Sequence, residues 1–167
     1  MTQSVLFGFG AGSAVFGGGG RYRYLLQRRW GTGNRFALYV MLNPSTADEE
    51  KDDPTVRRCI MRAQALGYDG IEVCNLFAFR ATDPRQMMAS QIDPVGPKND
   101  VYIRAAARTA KLIIVAWGAH GSYLSRDRAV LALLPRPVYC LGRTAGGLPK
   151  HPLYISNAQK LVEFEQR

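Results

Sequence analysis

The chain is poor in cysteine. Only three cysteines, Cys59, Cys74 and Cys140, occur among its 167 residues, and they lie far apart within apolar stretches. An odd and scattered set argues against a disulfide framework and against a cysteine-based zinc or iron–sulfur site. The sequence therefore predicts buried thiols in a reducing compartment, and it indicates neither a metal nor a cofactor.

Long apolar runs are also lacking. No stretch is long enough to span a bilayer as a helix. Residues 1–20 are apolar and rich in glycine, but no basic residue precedes the apolar run, so they do not resemble a signal peptide or an anchor. We therefore expect a cytoplasmic protein with no membrane partner.

Acidic residues are scarce relative to basic ones. The chain has 22 lysines and arginines against 13 aspartates and glutamates, a formal charge of +9. Basic surface attracts polyanions at long range, so this imbalance favours a nucleic acid or a nucleotide as partner. Charge alone does not establish such a partner, because many cationic proteins bind no nucleic acid.

Helical and extended patterns alternate along the chain. Apolar residues at helical spacing follow Asp53 and Pro54 and end at Gly67, which predicts a helix with Asp53 as its N-cap. Further helices are predicted from Asp83-Pro84 to about 90, from 99 or 100 to about 109, over about 123–134, and from about 157 onward. Strands are predicted over 71–77, 111–118 and 137–142.

The N-terminal part contains two more β-rich runs. Residues 21–29 and 35–42 flank the Gly/Asn turn at 31–34, which predicts a β-hairpin. The continuous apolar run at 111–118 is typical of a strand buried in a parallel sheet. We therefore predict a single α/β domain over 1–167, a three-layer sandwich with a mainly parallel central sheet of about four strands, extended by this hairpin.

Polar side chains follow four of the predicted strands. In open α/β sheets, ligands bind outside the carboxyl ends of the strands, where these residues would lie. They are Asn43 to Asp48, Asn75 with Arg80, Trp117 to His120, and Thr144 to His151. An equally good interpretation is that Asn43 and Asn75 bond loop backbone and that His151 is held by a carbonyl. Trp117 is more typical of a core residue than of a stacking platform.

Several motifs carry a resemblance to a known family. The sequence resembles an uncharacterised bacterial and phage family, domain of unknown function 1643, from about 20 to 154. The motifs are "MLNPSTADEEKDDPTVRRC", "NLFAFRATDP", "DPVGPKND", "AWGAHG" and "HPLY". More distantly, the order of "LNPS", "VCNLFAFR", "IVAWGAHG" and "KHPLY" is similar to that of the uracil-DNA glycosylase superfamily.

This second resemblance implies a DNA glycosylase-like enzyme that excises an unusual, damaged or modified base without a metal or cofactor. Its implied catalytic residues are Asn43, which holds water or contacts the base, His151, which stabilises the leaving base, and Asp48, which replaces a carboxylate absent from the first motif. The implied ligand-binding residues are Pro44, Asn75, Phe77, Trp117, His120 and Tyr154, and the implied phosphate-binding residues are Ser45, Thr46, Arg80, Arg143 and Lys150.

Two other functions stay open. Because Asn43 is a neutral amide and cannot abstract a proton, the chain is also interpreted as a non-catalytic nucleic-acid or nucleotide-binding module. A hydrolase of free nucleosides or nucleotides is the third hypothesis. In each case the topology predicts that Asn43 to Thr46 and His151-Pro152 face each other across one cleft.

Overall fold

A computed structural model of the chain describes the backbone of residues 2–7 and 10–166 and the side chains of residues 12–166. Short 3-10 helices lie at Gly18–Gly20, Ala119–Ser125 and Pro152–Tyr154. The strands and α-helices follow in chain order: β1 Thr2–Phe7, β2 Gly10–Gly17, β3 Tyr22–Arg29, β4 Phe36–Met41, α1 Pro54–Ala65, β5 Gly70–Asn75, α2 Pro84–Ala89, α3 Asn99–Thr109, β6 Leu112–Val115, α4 Arg126–Leu131, β7 Tyr139–Cys140 and β8 Val162–Glu163.

The strands form one mixed sheet in the order β1-β2-β3-β5-β4-β6-β7-β8. Parallel pairings join β5, β4, β6 and β7, whereas β1, β2, β3 and β5, and also β7 and β8, pair antiparallel. The α/β class is confirmed. The predicted mainly parallel sheet of about four strands is corrected, because the described ranges hold eight strands with more antiparallel than parallel pairings.

The predicted hairpin of 21–29 with 35–42 is wrong, because β5 lies between β3 and β4. On its two sides, Val73 of β5 pairs with Leu26 and with Tyr39. The turn does not close on itself: the N–H groups of Trp30 and Gly31 both donate to the carbonyl of Asp69, just before β5. Residues 30–35 therefore attach to the entry of β5, and the hairpin partner of β3 is β2.

The C-terminal segment also differs from the prediction. No helix forms from residue 157 within the described residues; instead β8 pairs antiparallel with β7. Phe164 explains the difference, because its N–H donates to Val138 and its ring packs edge-on against Trp117. The spacing of apolar residues suited a helix, but burial of this ring favours an extended edge.

The local helix predictions agree better with the structure. The helices begun by Asp53-Pro54 and by Asp83-Pro84 are confirmed as α1 and α2, and the helix from residue 99 is α3. The helix predicted over 123–134 is shorter: α4 is preceded by a 3-10 segment. No helix in the described part of the chain is both long and apolar enough to cross a membrane.

Helices cover both faces of the sheet. Cys59 and Ala63 of α1 pack with Tyr39 on one face, whereas α2, α3 and α4 pack on the other face, where Val40 and Cys74 point. All three cysteines are free and buried, as predicted. Because β4, β5, β6 and β7 run parallel, the segments that follow them leave the sheet at one edge, and this edge positions the candidate site.

Candidate functional site

A cavity of about 430 Å³ lies at the carboxyl ends of β4 and β5, next to the N-terminus of α1. Its wall is built by β3, the two loops that follow β4 and β5, the first turn of α1 and the 151–154 segment. The lining residues are Arg23, Met41, Leu42, Asn43, Ser45, Thr46, Asp53, Pro54, Thr55, Val56, Asn75, Ala81, Thr82, Pro84, His151, Leu153 and Tyr154.

The structure brings six of the predicted site residues together in this cavity. Asn43 and His151 share its wall although 108 positions separate them, as the topology predicts. The other four are Ser45, Thr46, Asn75 and Tyr154. Three separate sequence motifs therefore meet in one cavity.

Asn43 braces the loop and lines the cavity at the same time. Its Nδ2 donates to the carbonyls of Ala81 at 2.8 Å and of Pro44 at 3.1 Å. The Ala81 N–H donates back to the Pro44 carbonyl at 2.9 Å, so the two loops are bonded to each other. With the Asn43 amide nitrogen occupied in this way, its Oδ1 is the atom left to accept a hydrogen bond from a ligand or water.

Asn75 is buried at the end of β5, with only 2% of its surface exposed. Its Oδ1 has no hydrogen-bond partner among the described residues. Its backbone carbonyl is held by the side chain of Asn99, whose Nδ2 donates to Asn75 at 2.9 Å and to Leu76 at 3.1 Å. A buried acceptor without a donor is costly, so a cavity ligand or water that supplies an N–H or O–H is favoured here.

His151 is set up as a neutral hydrogen-bond donor. Its Nδ1 accepts the N–H of Leu153 at 3.3 Å, which assigns the proton of the neutral imidazole to Nε2. Burial lowers the pKa of His151, and the nearby Asp53 carboxylate only partly opposes this effect. The imidazole is therefore neutral at pH 7, with one N–H to offer.

Sequence reasoning missed Arg23 as a site residue. It is 2% exposed, its Nη1 donates to the Ala47 carbonyl at 2.9 Å, and its Nε has no partner among the described residues. Burial lowers its pKa to about 10 although the Asp53 carboxylate acts in the opposite direction. The sequence does hold a signal, because Arg23 lies between two tyrosines of one strand, Tyr22 and Tyr24. Side chains alternate along a strand, so Arg23 points to the opposite face of the sheet from both tyrosines.

Asp53 was predicted as a helix cap, and that prediction is confirmed. Its Oδ1 accepts the N–H of Val56 at 2.8 Å. The residue is also buried and is the only carboxylate among the described residues that line the cavity. Its position next to Arg23 and His151 was not predicted, because it depends on how α1 packs against β3.

Asp48 does not line the cavity. Its Oδ1 accepts the N–H groups of Glu50 at 2.8 Å and of Lys51 at 2.7 Å, so the carboxylate closes a turn. Burial acts to raise its pKa, but the hydrogen bonds from Lys51 and Glu50 outweigh burial and the pKa is lowered. The predicted role as acid or base has no support from this position.

Four predicted ligand-binding residues also lie outside the cavity lining. Phe77 is fully buried and packs on Tyr123 at 5.6 Å between ring centroids, and Trp117 is 1% exposed. Pro44 is buried, and His120 is exposed in a 3-10 segment. For Trp117 the structure agrees with the alternative interpretation as a core residue.

Three of the predicted phosphate-binding residues lie elsewhere too. Arg80 donates to the Gly20 carbonyl at 3.1 Å and stacks over the Phe16 ring. Arg143 lies over the Phe164 ring at 4.3 Å and lines a separate cavity, and Lys150 is exposed. Among the described side chains, no group of three His, Cys, Asp or Glu could hold a metal ion.

Comparison with known proteins places the chain in a family. Residues 23–153 match the model of the family described as "Protein of unknown function (DUF1643)". The match covers more than half of the chain, so the chain belongs to this family. No curated protein and no solved structure matches the chain. The similarity to the uracil-DNA glycosylase superfamily stays a prediction.

Proposed function

We propose that this member of the DUF1643 family is a DNA glycosylase-like enzyme that hydrolyses the N-glycosidic bond of an unusual, damaged or modified base. The observation that supports this proposal best is the meeting of Asn43, Asn75 and His151 in one cavity at the carboxyl edge of the sheet. These residues come from three of the motifs whose order is similar to that superfamily. A net charge of +9 fits a polyanionic substrate.

The proposed reaction assigns a task to each polar group in the cavity. The bond between C1′ and the base nitrogen breaks, its electron pair goes to the base, and the oxygen of a water molecule bonds to C1′. The Asn75 Oδ1 accepts an N–H of the base, and the Nε2–H of His151 donates to a base oxygen that gains negative charge. Because neutral His151 donates rather than titrates, it stabilises this charge without a proton transfer.

Water activation needs a hydrogen-bond acceptor and a proton acceptor in the cavity. The Asn43 Oδ1 orients the water, and the Asp53 carboxylate takes its proton, which later reaches the base nitrogen. This assignment replaces Asp48, because Asp53 lines the cavity and Asp48 does not. An extruded base needs an aromatic face, and Tyr154, 90% exposed at the cavity wall, provides one.

A non-catalytic binding module is the second candidate. Its support is that the Asn43 amide braces a loop and that one oxygen of Asp53 caps α1, so both groups have structural tasks. In that case oligonucleotide binding persists in Asn43→Ala and Asp53→Asn, and no base is released.

The test is base excision from labelled oligonucleotides, single- and double-stranded, that contain uracil, hypoxanthine or a hydroxymethylated base. After incubation, alkali cleaves any abasic site. We expect strand scission with the natural chain, strong loss in His151→Gln and retention in His120→Gln, which changes the exposed histidine outside the cavity. If no substrate is cut while a known glycosylase cuts its own, the enzyme proposal fails, and salt-sensitive binding of the same oligonucleotides then favours the module.

A further inference from the structure

Two arginines of β3 both anchor the loop that follows β4, but their surroundings differ. Arg23 and Arg28 are 2% and 7% exposed, and both donate to backbone carbonyls of the loop that follows β4. Arg23 donates to Ala47 at 2.9 Å, and Arg28 donates to Asp48 and to Lys51. Anchoring this loop therefore does not by itself explain why one of them also faces a cavity.

The two arginines differ in how their charge is compensated. Arg28 forms an ion pair with Asp52 at 2.8 Å. Arg23 makes no ion pair among the described side chains: the Asp53 carboxylate on the same cavity wall acts on its charge from beyond ion-pair distance, and the Arg23 Nε has no acceptor. A buried cation with an unused donor is costly unless an anion or a strong acceptor occupies the space beside it. Only Arg23 lines the cavity.

The first turn of α1 brings hydrogen-bond donors to the same wall, beside the Asp53 carboxylate that caps it. This helix of 12 residues lines the cavity with Pro54, Thr55 and Val56. Pro54 has no N–H and the Val56 N–H is bonded to Asp53, so the Thr55 N–H and hydroxyl are the donors of this turn that the cap does not use. Arg23 and Thr55 thus come from different elements to one wall.

We propose that Arg23 is the anion-recognition residue of this cavity and that the natural ligand places a negatively charged oxygen against it. Building on the proposed function, this oxygen belongs to the departing base, which becomes anionic when the C1′–N bond breaks. A phosphate of a nucleotide is the other source of the same chemistry. Because the charge grows during bond breaking, a fixed guanidinium stabilises the transition state more than the bound substrate.

The test is equilibrium binding by calorimetry with the full chain at one slightly alkaline pH. One set of ligands is uracil, 5-fluorouracil and 5-nitrouracil, whose N–H groups are successively more acidic, so that an increasing fraction is anionic. The other set is a deoxynucleoside and its monophosphate. The proteins are the natural chain, Arg23→Gln, Arg23→Lys and Arg28→Gln, the last a matched control that loosens the same loop without changing the cavity wall.

In the natural chain and in Arg28→Gln, we expect affinity to rise with the anionic fraction of the base. Arg23→Gln should lose roughly tenfold or more in affinity for the anionic ligand and little for the neutral one. The reason is that a hydrogen bond between a guanidinium and an anion is stronger than one between neutral groups. Arg23→Lys should keep part of the preference for the anionic ligand. A general folding defect would instead weaken the binding of both ligands alike.

The outcomes separate the two proposals. Preference for the monophosphate but not for the ionised base, lost in Arg23→Gln, supports the anion role of Arg23 and contradicts the assignment to a departing base. Equal affinity for neutral and anionic ligands, no binding of any anionic ligand, or an anion preference that survives in Arg23→Gln overturns the proposal, whatever the scission assay shows.

Discussion

The loops after β4 and β5, residues 43–53 and 76–83, follow the same local plan. Each loop follows a parallel strand and has an asparagine near the end of that strand. Each also leads into an Asp-Pro pair that starts a helix. In both cases the aspartate side chain accepts an N–H of the first helical turn. The local sequence thus specifies the same turn-and-cap structure twice.

Their surroundings differ. Asp53 is buried, caps a helix of 12 residues and lines the cavity beside Arg23. Asp83 caps a helix of six residues, pairs with the exposed Arg85 at 2.8 Å and lies outside the cavity lining. Of these two Asp-Pro caps, the one that becomes part of the candidate site is the one to which another strand, β3, brings a charged partner.

Releasing the second loop should destabilise the protein most. Asn99→Ala removes the amide nitrogen that donates to the Asn75 and Leu76 carbonyls. Among the described side chains, Arg126 is then the one that still donates to the Leu76 carbonyl. A buried carbonyl without a partner, together with the space left by the amide, should lower the free energy of unfolding by about 2 to 4 kcal/mol.

Urea denaturation followed by circular dichroism measures this change. Asn34→Ala, at an exposed position in the 31–34 turn, is the matched asparagine control and should leave the midpoint unchanged. Equal midpoints for the two variants would show that Asn99 does not hold the second loop.

The next effect compares the two caps directly. Asp53→Ala should destabilise the protein by about 1 to 2 kcal/mol, because the capping hydrogen bond to Val56 is buried. Asp83→Ala should have a smaller effect, since its cap is exposed. Asp53→Asn should recover most of the loss because asparagine is also a good N-cap, although the carboxylate of the cavity is gone.

Thermal unfolding of the four proteins checks this order. If Asp83→Ala is the more damaging change, burial does not distinguish the two caps. If Asp53→Asn is as unstable as Asp53→Ala, the charge rather than the cap stabilises α1.

The parts of the fold that sequence predicts are those decided within a few residues. The Asp53 and Asp83 caps follow from local chemistry, and the structure agrees. The helix α3 also begins at Asn99 as predicted, but no side chain caps it, and the Asn99 side chain instead holds the loop after β5. Strand order is not local: β5 inserts between β3 and β4, and Asp69, just before β5, binds the turn at 30–35. The C-terminal segment likewise forms an edge strand rather than a helix, because the Phe164 ring is buried against Trp117.

The same division applies to the candidate site. Asn43, Asn75 and His151 could be predicted to meet because parallel strands end at one edge. Arg23 could not, because it reaches the cavity from the antiparallel part of the sheet, whose neighbours were predicted wrongly. Asp48 and Asp53 are five residues apart in sequence, and only the packing of α1 decides which carboxylate faces the cavity.

The smallest effect is a pH dependence that reports how Asp53, but not Asp83, acts on the cavity. Burial lowers the pKa of His151 below the ordinary histidine value of about 6.5, so the unfolded chain binds a proton more readily than the folded one. Stability should therefore be unaffected by this group above about pH 6.5 and should fall as the pH drops from there through the lower pKa of the folded state. His151→Gln removes that part of the slope, whereas His120→Gln, at the exposed histidine, keeps it.

Because the Asp53 carboxylate opposes the effect of burial, Asp53→Asn should lower the pKa of His151 further, and Asp83→Asn should leave the pKa of His151 unchanged. Proton NMR of the imidazole resonances across pH 4 to 8 follows both changes, and a His151 that titrates at or above the ordinary value would contradict the neutral donor on which the cavity chemistry depends.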